Sequence, residues 1–146
     1  MTIKASAVRF PIDAENILRA ESAGAITAAE ASGSKPLGAL SAYWNEGELA
    51  SPLQLAVVLF VTALDLTTAD ETYRVDVEVA STEAFADAEV VVSSEIKKVG
   101  QHVVAFTREQ ILDALATAAH VRVKITPAGT TPSIDYWAIL SPLVDR

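Results

Sequence analysis

The residues of this chain that could do chemistry are few and widely spaced. The sequence has no cysteine and only two histidines, His102 and His120. Each histidine is expected near the start of a strand, and neither has a second ligand at the spacing of an HxxxH or HExxH zinc motif. We therefore expect two strand-edge histidines held by ordinary hydrogen bonds, and no zinc site.

Motifs for nucleophilic catalysis and phosphate binding are missing from the sequence. With no cysteine, a nucleophile would have to be a serine, threonine or lysine, and no GxSxG elbow occurs. The six glycines are scattered and form neither GxGxxG nor GxxxxGK. We expect no catalytic residue, no bound cofactor and no enzymatic activity.

Acidic residues are the next candidates for chemistry. Asp76 and Glu78 stand two apart on the expected solvent face of one strand, where hydrated carboxylates make poor general acids. In the stretch LDLTTADET, Asp65, Asp70 and Glu71 could gather around calcium. That stretch lacks the D-x-[DN]-x-[DN]-G order and the turn glycine of an EF-hand, so we interpret it as a polar loop without a metal.

Two adjacent aromatic pairs, Tyr43–Trp44 and Tyr136–Trp137, are the remaining candidates. Such pairs stack on sugar rings in binding modules, fill cores, or anchor subunit contacts. The apolar residues 138–140 that follow Trp137 favour burial over an exposed sugar platform.

Charge and hydropathy restrict the partners of the chain. The net charge is −8, and residues 52–101 hold nine acidic against three basic side chains, so the chain would repel phosphate backbones. The start, MTIKASAVRF, lacks the apolar run of a signal peptide. The longest apolar stretch, residues 53–66, is interrupted by polar residues and is too short to span a bilayer. We expect a soluble, non-secreted protein that binds neither nucleic acid nor membrane.

Strand patterns begin at residue 53. In the run LQLAVVLFVTAL, residues 53–64, most odd and even positions alike are apolar, so both faces of a strand would be apolar. This predicts a strand buried on both sides, or on one side and at an oligomer contact. Residues 72–80 and 120–126 alternate with a period of two, as half-solvated antiparallel strands do. Further strands are expected within residues 89–96, 102–106 and 134–140.

One helix is expected between these strands. In TREQILDALATAA, residues 107–119, Thr107 and Gln110 have the spacing of a capping box. Ile111, Leu112 and Leu115 would then form the apolar stripe. Six or seven strands without regular helical crossovers predict a mainly β, antiparallel β-sandwich. A jelly roll is the most natural form, and an immunoglobulin-like sandwich is the alternative.

The domain organisation follows from these patterns. Residues 53–146 are expected to form the sandwich core, and residues 1–52 an extended N-terminal arm with loops. Helical spacing over residues 13–25 indicates at most one short helix, because Gly24 and Pro36 interrupt the pattern. The region is either an arm that becomes ordered on a partner or an edge strand with loops.

The order of three segments resembles a known family. VTALDLTTADETY (61–73), VEVASTEAFADAEVV (77–91) and HVRVKITPAGTTPSIDYWAIL (120–140) are similar, in this order, to segments of small proteins from the heads of tailed bacteriophages. These are the cement, or decoration, proteins that coat capsids and have a jelly-roll fold. The resemblance covers roughly residues 53–141.

The resemblance implies a structural role without chemistry. It implies a virion protein that is assembled in the host cytoplasm, binds the major capsid protein on the outside of the shell and stabilises that shell. It also implies a homo-oligomer, a dimer or trimer, because capsid junctions lie on or near local symmetry axes. The alternatives are a carbohydrate-binding module that uses Trp44 or Trp137, another phage head or tail protein, and an enzyme with dispersed acids.

Under this resemblance, particular residues take particular roles. The stretch STEAFAD, residues 81–87, becomes a loop in which Phe85 anchors the chain in the core. The candidate contact residues are Tyr43, Trp44, Leu49 and Trp137, since aromatic side chains dominate interface energies.

Overall fold

The computed structural model describes residues 16–37 and 54–143, and within these ranges the chain is mainly β. The strands are β1 (Ile17–Arg19), β2 (Glu30–Ala31), β3 (Lys35–Pro36), β4 (Gln54–Leu64), β5 (Thr72–Ala80), β6 (Glu89–Glu95), β7 (Gly100–Thr107), β8 (His120–Ala128) and β9 (Ile134–Leu143). One α-helix, α1 (Arg108–Ala114), follows β7, and a 3-10 turn, Glu21–Ala23, follows β1.

The strands form two antiparallel sheets. Sheet A has the order β1-β9-β4-β7, and sheet B has the order β2-β8-β5-β6 with β3 also paired to β8. The pairs are nested along the chain, since β5 pairs with β6, β4 with β7, β2 and β3 with β8, and β1 with β9. A long antiparallel ribbon that rolls up gives this order, with β4 also against β9 and β5 against β8. This is the strand order of a jelly roll, and it confirms the predicted fold class.

The core lies between the two sheets and follows the predicted alternation. On β5, Tyr73, Val75, Val77 and Val79 are fully buried, as the period of two requires. The other large core side chains include Leu55, Leu59, Phe106, Ile125, Ile134, Tyr136 and Leu140. Burying this apolar surface from both sheets is the main driving force of the fold.

Strand β4 is buried on both of its faces. Each residue from Leu55 to Leu59 has at most 1% of its surface exposed. Leu55, Val57 and Leu59 belong to the core between the sheets, whereas Ala56 and Val58 belong to a second apolar cluster on the opposite side of sheet A. The prediction of a strand buried on both sides is confirmed.

Helix α1 begins as predicted but buries a narrower stripe. The Gln110 backbone N–H donates to Thr107 Oγ1 at 3.2 Å, and the Thr107 N–H donates to Gln110 Oε1 at 2.9 Å, which is a capping box. Ile111 is fully buried and Leu115 is half-buried against the core. The prediction that Leu112 belongs to the stripe is wrong, since Leu112 is 41% exposed. Position 112 lies about 100° around the helix from Ile111, and a helix of seven residues buries one narrow face.

The described part of the N-terminal third, residues 16–37, joins both sheets through short strands. Strand β1 pairs with β9, while β2 and β3 pair with β8. Where the spacing over residues 13–25 indicated at most one short helix, the described part forms β1 and the 3-10 turn. Tertiary contacts explain this, because the buried side chain of Arg19 donates to the carbonyl oxygens of Tyr136 and Gly24 and lies 4.4 Å over the Tyr136 ring.

Candidate interaction surface

The residues singled out for catalysis or metal binding are not brought together. His102 Nε2 lies 2.8 Å from the carbonyl oxygen of Lys98 at the start of β7, an ordinary hydrogen bond. His120 opens β8, and its Nδ1 is buried without a hydrogen-bond partner. Across residues 16–37 and 54–143, no group of three or more histidine or acidic side chains could hold a metal ion.

The acidic loop between β4 and β5 is held together by threonines. Thr130 donates through Oγ1 to Asp70 Oδ2 at 2.7 Å and through its backbone N–H to Asp70 Oδ1 at 3.1 Å. Thr68 donates through Oγ1 to Asp70 Oδ1 at 2.7 Å and through its backbone N–H to Glu71 Oε1 at 3.1 Å. These bonds lower the pKa of Asp70 to about 2, and the Thr68 bond lowers the pKa of Glu71. The carboxylates thus tie this loop to the β8–β9 loop.

Two close contacts fix the same end of the sandwich. The hydroxyl of Tyr73 lies within hydrogen-bond distance of the carbonyl oxygens of Asp65 and Ser133, to one of which it donates its single hydrogen, and it accepts from the Ser133 N–H at 3.0 Å. Gly129 has φ +106°, and a Cβ there would lie 2.6 Å from the carbonyl oxygen of Asp70. Only glycine therefore allows the two loops to approach this closely.

The outer face of sheet B is charged, and we call it the charged face. Most of its residues are charged, and the register places these side chains on one side of β5, β6 and β8: Arg74, Asp76, Glu78, Ser93, Glu95, Arg122 and Lys124, together with Val90 and Thr126. The expectation that Asp76 and Glu78 are solvated is wrong, since they are 4% and 8% exposed. Partners reach them from the same strand and from the next one: Arg74 Nε of β5 lies 2.9 Å from Asp76 Oδ1, and Arg122 of β8 lies 2.9 Å from Glu78 Oε1. These acids are paired within the face.

Phe85 lies at the edge of the charged face. It is buried, and the Arg122 guanidinium lies 4.1 Å over its ring, a cation–π contact. Phe85 lies in a turn with φ 56°, a backbone conformation that residues other than glycine rarely adopt. Phe85 is buried but lies outside the contiguous apolar cluster between the sheets, and its ring contacts Arg122 of β8 while Ser81 and Asp87 close the turn by hydrogen bonds.

The outer face of sheet A is apolar, and we call it the apolar face. Its apolar members are Ile17, Ala56, Val58, Phe60, Val103, Ala105, Trp137 and Ile139, and the register places Gln101 and Ser141 on the same side. The register places Ile17, Ile139, Val58 and Val103 in one row across all four strands. Directly paired residues share a face of a sheet, so these side chains form a continuous apolar surface.

Trp137 lies on the apolar face beside Phe60. The two rings stack, with centroids 4.0 Å apart and planes inclined by 15°. Both side chains are half-buried and pack against Ala56, Val58 and Ile139. Trp137 was a candidate contact residue from the sequence, whereas Phe60 was not. The signal for Phe60 was the apolar run of β4, which makes both faces of that strand apolar.

Exposure on the apolar face changes from one side to the other. Ala56, Val58 and Ile139 on the central strands are fully buried, while Val103 on β7 is 46% exposed. The part of this face that reaches solvent therefore runs along β7. Most of its side chains are apolar, so the exposed part is suited to apolar contact with another surface.

The other candidate contact residues, Tyr43, Trp44 and Leu49, lie outside the described residues. Among the described residues no helix is long and apolar enough to cross a membrane. Comparison of the chain with protein-family models, curated proteins and solved structures finds no match. The functional interpretation therefore rests on the geometry of this chain and on the sequence resemblance given above.

Proposed function

We propose that this protein is a structural virion protein that binds the outside of a tailed-phage capsid and stabilises the shell. The observation that carries the proposal is the jelly-roll strand order combined with one apolar outer face. The resemblance to decoration proteins implies that fold, and the part of the apolar face that reaches solvent, Val103 with the half-buried Phe60 and Trp137, supplies a contact surface. Among the described residues, Asp70, Asp76 and Glu78 are engaged in hydrogen bonds and ion pairs within the fold.

The mechanism under this proposal is thermodynamic. A protein that binds only the expanded shell stabilises that shell by the free energy of binding. Each copy would contact neighbouring copies of the major capsid protein, so that opening the shell requires breaking these contacts as well. Stacked aromatic side chains such as Trp137 and Phe60 are the type of residue that contributes most to such binding.

The net charge of −8 supports a location on the outer surface of the shell. Packaged DNA presents a dense array of phosphates, and an acidic protein is repelled from it. A homo-oligomer on a local symmetry axis would bind several capsid subunits at once, which raises the effective affinity.

The test is to add purified protein to expanded, undecorated capsids of the phage that encodes it, followed by sedimentation and cryo-EM. Stoichiometric, symmetric binding that raises the melting temperature of the capsid is the expected result. Trp137→Ala should weaken binding at least about tenfold, as expected for an aromatic interface residue. The matched control is Leu112→Ala, which removes an exposed apolar side chain of α1 that is not part of the apolar face and should leave binding unchanged.

Failure to sediment with any capsid form would overturn the proposal. Glycan binding by the isolated protein, lost in Trp137→Ala, would favour a carbohydrate-binding module instead. Because Phe60 already stacks on Trp137, only part of the indole surface is open to a sugar ring.

A further inference from the structure

The edge strands of the two sheets differ in how they are protected against pairing with another strand. An exposed edge presents unpaired backbone groups, and proteins protect such edges by short strands, charges, prolines or bulges. In sheet A, β1 has only three residues. In sheet B, β2 and β3 have two residues each, and β3 contains Pro36.

Strand β6, the other edge of sheet B, is longer but carries charges. It has seven residues with Glu89 and Glu95 at its two ends. Its pairing with β5 also contains a bulge or irregularity between Val77 and Glu78. Two of the protective features are therefore present on this edge.

Strand β7 has none of these features. Its eight residues, GQHVVAFT, include no charged residue and no proline. The side chains of Gln101, Val103 and Ala105 are exposed along it. On the side away from β4, β7 has no partner strand among residues 16–37 and 54–143. An eight-residue, uncharged, exposed edge is a template for strand pairing.

We propose that two copies of this chain pair through β7, antiparallel to one another about a two-fold axis. Identical strands related by a two-fold axis perpendicular to their sheet run antiparallel, so that symmetry and hydrogen bonding agree. Two four-stranded sheets A would join into one continuous sheet of eight strands. With such an axis, Gln101, Val103 and Ala105 of both copies lie on the same outer face.

The exposed end of the apolar face explains why this pairing is favourable. Val103 ends the row that begins at Ile17, and it is 46% exposed. Pairing of β7 with its copy continues this row into the second subunit and removes Val103 from water.

Charge favours a second copy at the β7 edge over the β6 edge. With a net charge of −8, two copies repel one another over most of their surface. Self-pairing of β6 would bring Glu89 and Glu95 close to their own copies, whereas β7 brings no like charges together. The inference specifies the homo-oligomer of the proposed function but is tested without any capsid.

The first test is sedimentation of the isolated chain together with single-cysteine cross-linking. The chain contains no cysteine, so Gln101→Cys, Val103→Cys and Ala105→Cys each introduce one reporter. A disulfide requires Cα atoms within about 4.4–6.8 Å, so the position nearest the axis should give a covalent dimer under mild oxidation. Val90→Cys, at a 41% exposed valine of β6, is the matched control and should not cross-link.

The second test breaks the pairing. Val103→Lys places two like charges near the axis and should raise the dimer dissociation constant at least about tenfold, since opposed like charges destabilise a strand pair. Val90→Lys is the control and should leave the dimer intact. Hydrogen exchange of the β7 amides provides a readout that does not depend on a variant, and it should slow as protein concentration rises.

A monomer at every concentration, or cross-linking at Val90 in place of β7, would overturn the inference. A dimer through β7 that fails to bind capsids would leave this inference standing and overturn the proposed function. Capsid binding by a protein whose β7 edge stays unpaired would overturn this inference and leave the proposed function standing.

Discussion

The two outer faces of the sandwich are built in opposite ways. In sheet A the outward side chains are apolar, and those of the central strands, Ala56, Val58 and Ile139, are fully buried. In sheet B the outward side chains are charged, and Asp76 and Glu78 are nearly as buried as the valines. Similar burial is thus reached once by apolar packing and once by ion pairing.

The two faces differ in whether their buried side chains are polar groups with partners in the same face. Each buried acid of the charged face has its partner within that face, at 2.9 Å in both pairs, so no further layer is required. Ala56, Val58 and Ile139 on the outside of sheet A carry no polar side-chain atoms, so their burial rests on apolar packing with Ile17, Phe60 and Trp137. Val103 at the β7 edge is 46% exposed, so an association through this face would be centred on that edge.

Charging the apolar face should have the largest effect. Val58→Asp places an unpaired carboxylate at a fully buried position and should destabilise the fold by at least about 4 kcal/mol, measured by urea unfolding. If this variant does not fold, the nearly isosteric Val58→Thr should still cost about 1–3 kcal/mol for its buried hydroxyl.

Val99 provides the matched control for this prediction. It is 55% exposed, so Val99→Asp and Val99→Thr should each change stability by no more than about 0.5 kcal/mol. A folded Val58→Asp of wild-type stability would mean that the outward side of sheet A is solvated, and the contrast between the two faces would be lost.

Removing one partner of an ion pair should be the next largest effect. Arg122→Met leaves Glu78 without its cation and uncovers Phe85, which should cost about 3 kcal/mol. Adding Glu78→Met removes the stranded carboxylate and should restore most of that loss, because an apolar pair of similar volume can replace a buried ion pair.

An exposed ion pair of the same sheet provides the control. Lys97 Nζ lies 4.0 Å from Glu95, with the lysine side chain 78% exposed, so Lys97→Met should change stability by no more than about 0.5 kcal/mol. Equal losses for Arg122→Met and Lys97→Met in urea unfolding would show that the charged face gains nothing from its buried pairs.

The sequence predicted those parts of the fold that follow from local pattern. The period of two on β5, the apolar run at both parities of β4 and the capping box of α1 each have a physical cause within a few residues. Nested pairing of such strands then leads to the jelly roll, which the absence of helical crossovers favoured from the start.

The sequence could not predict contacts between residues far apart in the chain. Arg19 meets Tyr136 across 117 residues, and this contact accompanies the strand and turn found within residues 13–25. The pairing of Glu78 with Arg122 spans 44 residues, so the burial of Glu78 was missed. Phe60 was missed as a surface residue because only the register of β4 with β9 places it beside Trp137.

The aromatic stack of the apolar face should contribute a smaller amount. Phe60→Leu, Trp137→Leu and the double variant form a cycle whose coupling energy should be about 0.5–1.5 kcal/mol, the range for stacked rings. In the control cycle, Phe106→Leu takes the place of Phe60→Leu and is combined with Trp137→Leu. Phe106 is a core residue on the opposite side of sheet A, so the two losses of stability should add within about 0.5 kcal/mol. Additivity of Phe60 and Trp137 would mean that the stack does not hold the face together.

The pH dependence of the loop that joins the two sheets should be the smallest effect. Hydrogen bonds from Thr130 and Thr68 lower the pKa of Asp70 from 3.8 to about 2. A lowered pKa in the folded state gives stability that is fully present above the unfolded value and is lost as the pH falls toward about 2.

Thr130→Val should therefore destabilise the protein at pH 7, and its difference in unfolding free energy from wild type should shrink in urea unfolding as the pH falls from about 4 to about 2. Thr117→Val, at an exposed threonine outside this loop, should show no such pH dependence. A Thr130→Val difference that stays constant down to the lowest pH would mean that Thr130 acts through packing alone, so that the Asp70 carboxylate contributes nothing to holding the two sheets at this end.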